Sequence, residues 1–420
     1  MGPYKALVAR GPAREGQWRL ESVTARALRE DELLIRIVAT GICLADLHLG
    51  DVAQGAGGHP RIYYPRVLGH EGKKHNPNQA TLWHHGHAKA LYRDNGKLIL
   101  AILLPGSGYV DEIGSAVKGF QVGDAVLLSF NSCGQCYSCQ EDKPALCIHS
   151  DKLNFGGDEG VYATEGSTDF KIGGSFFGQS SFASHAVVKE RSVVNLQGLI
   201  DSDEDLKMLA PLGCGVQTGT GAIINTANVQ AGQDVAVLGV GGVGQSAIMA
   251  ARIRGCQRII AIDRVPARLR LAQSLGATHV IDSSKEDDLV AAVLGITKGA
   301  GVHVSLDTTG VSALARESYR CVRRGGKILQ VGLAKQEDKW DISMPVHMNS
   351  GKQIIGCVQG DAVPQEYIAK MIAWFKAGEL PLQHLVTFYE VSNFQQAIED
   401  MRNGRTTKPV LVWPEVVGRD

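Results

Sequence analysis

The chain has 420 residues, with 43 Lys plus Arg balanced by 43 Asp plus Glu. That length allows two domains, each with its own core, and the charge balance leaves no bulk field to draw in nucleic acid or an anionic membrane surface. No apolar run approaches the ~18 residues of a membrane span, and Met1-Gly-Pro-Tyr-Lys lacks the pattern of a secretory leader. A soluble, cytoplasmic enzyme acting on a small molecule is therefore expected, and its nine cysteines should be thiolates or metal ligands rather than disulfides.

The first ~50 residues alternate short apolar runs with polar turns: Lys5-Ala-Leu-Val-Ala, Trp18-Arg-Leu and Glu32-Leu-Leu-Ile-Arg-Ile-Val. The period is two, which predicts a β-rich domain with its charged residues pointing outward. The third run leads into Gly41-Ile-Cys43-Leu-Ala45-Asp46-Leu-His48, and Val67-Leu-Gly69-His70-Glu71-Gly72 follows. Alone, Cys43 reads as a buried thiol and His70 as a core histidine. With Cys214 they make a Cys-His-Cys set, which a catalytic zinc with one open position requires.

The β pattern resumes through Val122-Gly-Asp-Ala-Val-Leu-Leu-Ser-Phe130 and gives way to Cys133-Gly-Gln-Cys136-Tyr-Ser-Cys139, with Cys147 after seven intervening residues. Four thiolates so spaced can close a tetrahedron around a zinc at ~2.3 Å with no open position, so this metal is structural. Four unrelated core cysteines are improbable in so polar a run. Next, Gly173-Gly-Ser-Phe176-Phe177-Gly178-Gln-Ser-Ser precedes another strand, and the phenylalanines could simply fill the core.

From Pro211 the chain reads Pro-Leu-Gly-Cys214-Gly-Val-Gln-Thr218-Gly219, then a polar turn, then Asp234-Val-Ala-Val-Leu-Gly239-Val-Gly241-Gly242-Val243-Gly244. An apolar strand runs into Gly-x-Gly-x-x-Gly, and a helix follows from about 244 to 253. Asp263 closes the next strand, 19 residues after Gly244. These glycines suit a tight turn, close approach of the backbone to a pyrophosphate and packing of helix on strand, while the helix N-terminus offers N–H groups to phosphate. Asp263 would accept from the adenosine ribose and repel a 2′-phosphate, favouring NAD over NADP, although Arg264 beside it is a cation. Strand and helix signals then alternate to residue 357, six strands in all, which predicts a doubly wound parallel sheet with the cofactor at its carboxyl ends. Cys256, Cys321 and Cys357 lack partner spacing and read as core thiols. Helices at 365–376 and 392–402 and a strand at 409–413 finish the chain.

These residues resemble the zinc-containing medium-chain alcohol dehydrogenases over nearly the whole chain, closest in motifs to the aryl-alcohol members. The resemblance implies a GroES-like catalytic domain at 1–198, with the cysteine lobe at 131–148; a Rossmann cofactor domain at 199–357; and a return segment at 358–420. It implies that Cys43, His70 and Cys214 hold the catalytic zinc, that Asp46 orients the histidine, that Glu71 lies close behind the metal and that His48 passes the substrate proton to solvent. The two-cysteine, one-histidine set is that of alcohol dehydrogenase itself, so it is matched rather than derived. Thr218, Gly239, Gly241, Gly242, Val243, Gly244, Asp263, Arg264 and Val331 are expected at the cofactor. Phe130, Phe176 and Phe177 fall where the family lines its substrate channel, and they point to aryl or allylic alcohols. The family is usually dimeric or tetrameric. Many members carry Ser or Thr where this chain has Ala45, so either a water bridges to His48 or the relay runs differently.

Residues 73–106 depart from the family, whose pattern after Gly-His-Glu is restored in full when Gly72 is joined to Ser107. These 34 residues hold five Lys or Arg and one Asp, and they end on the apolar run 98–104, which favours aggregation if exposed. A translated intron and a lineage-specific loop both account for them; the cluster at His84, His85 and His87 reads as chance. Two other readings of the chain are an inactive nucleotide-binding relative, raised by this segment, and a quinone or enoyl reductase of the same fold, which would lack the Cys-His-Cys set.

Overall fold

A computed structural model describes residues 2–11, 15–42, 66–67, 106–156, 158–335 and 338–414. In its first part ten strands follow one another: β1 (Tyr4–Ala9), β2 (Trp18–Ala25), β3 (Glu32–Gly41), β4 (Arg66–Val67), β5 (Gly106–Ile113), β6 (Ala125–Leu128), β7 (Asp158–Thr164), β8 (Ile172–Gly174), β9 (His185–Lys189) and β10 (Val193–Asn195). Strands β1, β2, β7, β8 and β4 close a barrel. Strand β3 is the spine of a second sheet, pairing antiparallel with both β5 and β9. Between barrel and sheet lies one core that includes Leu7, Val23, Leu33, Ile35, Val126 and Tyr162.

The outward-facing charge expected at the start of β3 is not observed. Glu32 is fully buried, because cations meet it from three sides. Arg26 binds it through both terminal nitrogens at 2.6 and 2.8 Å, Lys189 at 2.7 Å, and the backbone N–H of Arg29 at 2.8 Å. A buried charge is tolerated when it is paired and hydrogen-bonded in this way.

The six expected strands of the second part form one sheet: β11 (Asp234–Leu238), β12 (Arg258–Asp263), β13 (His279–Asp282), β14 (Val302–Asp307), β15 (Val322–Gln330) and β16 (Gln353–Gly356). Their order is β13-β12-β11-β14-β15-β16 and every neighbouring pair is parallel. Strand order reverses between β11 and β14, so a crevice opens beyond their carboxyl ends, the usual ligand position in such sheets. All of β11 is buried, as a strand covered on both faces must be. The chain then returns. β17 (Val386–Glu390) pairs with β18 (Lys408–Val412), and β18 runs antiparallel to β3. The final segment thus adds β17 and β18 to the sheet that holds β3.

Candidate functional site

The helix after β11 spans Gly242–Ile253 and is called α2 below; it starts two residues earlier than the sequence pattern suggests. Gly239 turns the chain with φ 83°, a left-handed conformation that favours glycine, and the extended Gly241 then caps the helix without any side-chain bond. The first N–H groups of α2 are therefore left for a ligand. A Cβ on Gly244 would lie 2.0 Å from the Gly239 carbonyl oxygen, so this glycine lets helix and turn touch, whereas a Cβ on Gly241 meets nothing within 4 Å. That open space is where a pyrophosphate needs to approach, and the cradle fits a dinucleotide.

The Asp263 carboxylate, almost buried at the end of β12, fixes this turn. Its Oδ2 accepts from the N–H of Val240 at 2.9 Å, and its Oδ1 from those of Arg264 and Val265 at 2.8 and 2.9 Å. A carboxylate offers about four acceptor positions, so one remains for a sugar hydroxyl. Arg268 stands 3.8 Å from the same group. Across the crevice the Thr308 hydroxyl donates to the Gly239 carbonyl at 2.7 Å. Asp307, whose carboxyl is pushed up by burial, gathers Thr309 and Gln330 with its side chain and accepts at its backbone oxygen from the N–H groups of Val331 and Gly332.

Cys214 is buried and stands at the head of the helix Gly215–Gly221, α1. The two helices meet at Gly219, where a Cβ would come within 2.1 Å of the Val243 carbonyl oxygen. Only a glycine lets the helix that follows Cys214 rest so directly on the one that opens the nucleotide turn. On α1, Thr218 is buried and its hydroxyl has no hydrogen-bond partner among the described residues. An orphaned buried hydroxyl calls for a ligand or water. Behind Cys214, Gln359 Nε2 lies 3.9 Å from the sulfur. For a metal at Cys214 the chemistry of the donor set fits: a buried thiol needs a cation to become a thiolate. Cys43, Asp46, His48, His70 and Glu71 lie outside the described residues. So does nearly all of segment 73–106, including the histidines at 84, 85 and 87.

The cysteine lobe is fully described. All four sulfurs of Cys133, Cys136, Cys139 and Cys147 lie within 4.8 Å of one another, with separations of 3.5 Å (136 to 139) and 3.9 Å (133 to 139 and 136 to 147). Zinc bonds of ~2.3 Å at tetrahedral angles require sulfur–sulfur edges of about 3.8 Å, so the set fits one zinc. Backbone N–H groups, that of Cys139 first among them, hold the Cys136 thiol down at about 6, while burial pushes Cys147 up to about 12. Only a shared cation makes all four thiolates at once.

Phe130 and Phe177 join Ala145 and Phe155 in one small cluster against this lobe, and Phe176 meets Phe177 edge-on with ring centroids 6.2 Å apart. Phe130 also lines a cavity of about 390 Å³ with Ser132, Cys139, Arg191, Val193 and Val363. The structure therefore brings Phe130 and Phe177 together, on the side facing the cysteine lobe. Sequence reasoning missed Lys408. It is buried at the start of β18, and its stem passes 3.9 Å from where a Cβ on Gly242 would stand. A lysine opening an apolar strand was the available signal.

A doubly wound sheet with a glycine-turn cradle, joined to a β-barrel part carrying a four-thiolate lobe, defines a zinc-binding dehydrogenase. Comparison with known proteins agrees. A family profile described as zinc-binding dehydrogenase matches residues 242–377, and one described as alcohol dehydrogenase GroES-like domain matches 84–198. The second match begins inside the segment 73–106. The geraniol dehydrogenase of Castellaniella defragrans is 35% identical over 400 residues, 95% of each chain. Among solved structures, an alcohol dehydrogenase zinc-binding domain protein from Burkholderia ambifaria is 35% identical with a TM-score of 0.82, covering 98% of this chain and 99% of its own. The benzyl alcohol dehydrogenase of Acinetobacter calcoaceticus is 33% identical with a TM-score of 0.81, covering 99% and 100%. The chain belongs to the zinc-containing medium-chain alcohol dehydrogenases, a family of oxidoreductases that use zinc and a nicotinamide cofactor. Among the described residues no helix is long and apolar enough to cross a membrane.

Proposed function

We propose that this chain oxidises a primary aryl or allylic alcohol to the aldehyde, or runs the reverse reaction, with hydride transfer to NAD. The observation that carries this reading is the contact of Gly219 with Val243, because it sets the helix headed by the metal-ligand candidate Cys214 on the helix that opens the nucleotide turn. When bound, zinc supplies a Lewis acid that lowers the pKa of an alcohol hydroxyl, and the nicotinamide accepts the hydride. In this reading Cys43, His70 and Cys214 hold the metal with one position open, Asp46 orients His70, and Glu71 stands behind. His48 takes the hydroxyl proton to solvent, directly or through a water because residue 45 is alanine. Thr218 and the α2 N–H groups bind the cofactor, with Gly239, Gly241, Gly242, Val243, Gly244 and Val331 shaping its bed. Asp263 takes the adenosine ribose, and that carboxylate sets NAD above NADP despite Arg264.

The substrate class rests on Phe130, Phe176 and Phe177 as an aromatic wall and on relatives named for geraniol and benzyl alcohol, an allylic and an aryl alcohol. We divide the chain at residues 198 and 357, and we infer an oligomer of identical chains. Leu333, Trp340, Met344, Val346, Met348 and Val358 are large apolar side chains left exposed around the edge strand β16, and such a patch suits a partner surface. A cytoplasmic setting suits zinc thiolates, which an oxidising compartment would pair.

The test is to purify the protein, count its zinc and follow reduction of NAD and of NADP with benzyl alcohol, geraniol and ethanol. Two zincs per chain, NAD preferred, and both unsaturated alcohols favoured over ethanol are expected. Comparable turnover of ethanol sinks the substrate class; a single zinc sinks the catalytic metal and with it the dehydrogenase reading.

A further inference from the structure

Residues 172–183 are buried without exception, yet three consecutive members, Gln179, Ser180 and Ser181, are polar. The backbone here is held in an unusual state: Ser175, Phe177 and Ser180 have φ of 55°, 57° and 56°. Side chains other than glycine adopt this left-handed region only when their surroundings hold them there, and such positions cluster at functional sites.

The hydrogen bonds of this segment account for it. Ser181 Oγ and Thr40 Oγ1 are 2.7 Å apart, and Thr40 lies three residues before Cys43. Ser180 Oγ donates to the Val67 carbonyl at 3.2 Å, three residues before His70, and accepts from the Phe176 N–H at 3.0 Å. Gln179 Nε2 donates to the Ser129 carbonyl at 3.1 Å, and the Ser129 hydroxyl donates in turn to the Gly213 carbonyl at 2.7 Å, next to Cys214. Gln179 Oε1 accepts from the N–H of Gly106, which opens β5, at 3.2 Å. The two serines grip the segments that lead to Cys43 and His70, while Gln179 holds the start of β5 and reaches the residue before Cys214 through Ser129.

We infer that residues 179–181 are a positioning element for the catalytic metal, fixing by hydrogen bonds the segments that deliver Cys43 and His70 and, through Ser129, the one that delivers Cys214. The inference rests on the dehydrogenase reading above. Successive Cα atoms are about 3.8 Å apart, so the holds on Thr40 and Val67 originate from adjacent residues and set those two segments side by side. A metal site tolerates donor errors of only about 0.2 Å, and a saturated buried polar network supplies that rigidity better than an apolar plug, which packs but does not fix register. None of the three residues touches substrate in this scheme; they act through the ligands.

The test uses the zinc-loaded full chain and the release of its two zincs to a chelator, with the cysteine-lobe zinc as internal reference. Thr40→Val keeps the shape and removes the hydroxyl, Thr40→Ser keeps the hydroxyl, and Ser180→Gly removes a hydroxyl where glycine accepts the backbone angle. Thr40→Val and Ser180→Gly should release the second zinc at least about 10-fold faster, the scale seen when groups that orient metal ligands are removed. Thr40→Ser should behave as the wild type, and the lobe zinc should be unmoved throughout. Cobalt substitution gives a second readout, since distorted donors shift its visible bands in the same two variants. If both variants melt lower yet release the second zinc at the wild-type rate, the segment is core filler and the inference falls alone. If the wild type binds a single zinc, the dehydrogenase reading falls first and takes this inference with it.

Discussion

A methyl group added at Gly244 would lie 2.0 Å from the Gly239 carbonyl oxygen, whereas one at Gly241 would meet nothing within 4 Å. Two alanine substitutions in one turn should therefore fail in different ways. Gly244→Ala forces helix and turn apart and should lower stability by about 2 kcal/mol, as overpacking does. Gly241→Ala should leave stability within about 0.5 kcal/mol of wild type, as for a substitution into open space. It should nevertheless weaken NAD binding at least about 10-fold, or 1.4 kcal/mol, by filling the cradle. Denaturant unfolding and an NAD titration on both variants check this; Gly241→Ala binding NAD like the wild type would remove the cofactor from that turn. If Asp263 takes the adenosine ribose as proposed, Asp263→Ser should raise kcat/KM with NADP relative to that with NAD, because it deletes a carboxylate that would repel a 2′-phosphate. An unchanged ratio would leave the ribose assignment without support. The turn itself was readable in the sequence because it is local: the spacing of three glycines and one acid encodes it. Lys408 is different: its place beside Gly242 depends on how β18 folds back, and a lysine opening an apolar strand was its one local sign.

At the scale of elements, Glu32 ties the start of β3 to Arg26 just beyond β2 and to Lys189 at the end of β9. Burial works to raise this carboxyl, but hydrogen bonds from Arg26, Lys189 and the Arg29 N–H overcome it and hold the group at about 2, below the usual 4.5. A depressed folded-state value means stability that is complete above about 4.5 and is lost as pH falls through about 2. Glu32→Gln should cost about 3 kcal/mol at pH 7, since it leaves the half-buried Arg26 and Lys189 short of a partner. The gap from wild type should narrow steadily as pH drops below 4.5. Urea unfolding at a series of pH values measures it, and a gap that stays constant to pH 2 would assign the loss to packing instead. The sequence hid this network, because period-two patterning sends a charge at a strand start to solvent. The central strands β11 and β12 were plain for the opposite reason: buried almost throughout, they are nearly continuous apolar runs. Residues 179–181 were equally hidden, since Gln-Ser-Ser after a glycine reads as surface loop and only tertiary contacts show each hydroxyl in use.

For the whole molecule the open matter is segment 73–106, between His70 and β5. Gly106 opens β5, pairs with Thr40 and has no room for a side chain, because a Cβ there would stand 2.7 Å from that of Ser181. Joining Gly72 directly to Ser107 puts another glycine in that place, so the strand, its partner and the hold of Gln179 on that glycine's own N–H can all be kept. A chain lacking 73–106 should therefore fold cooperatively, bind two zincs and oxidise benzylic alcohol with NAD at least as well as the chain as written. It should also aggregate less, having lost the uncharged apolar run 98–104. Zinc content, NAD reduction and light scattering on the two chains side by side decide it. A shortened chain that fails to fold or drops its second zinc would make the segment a working part of the catalytic domain. Equal zinc and activity in both would make it a tolerated loop, and recovery only on shortening would mark it as sequence foreign to the folded enzyme.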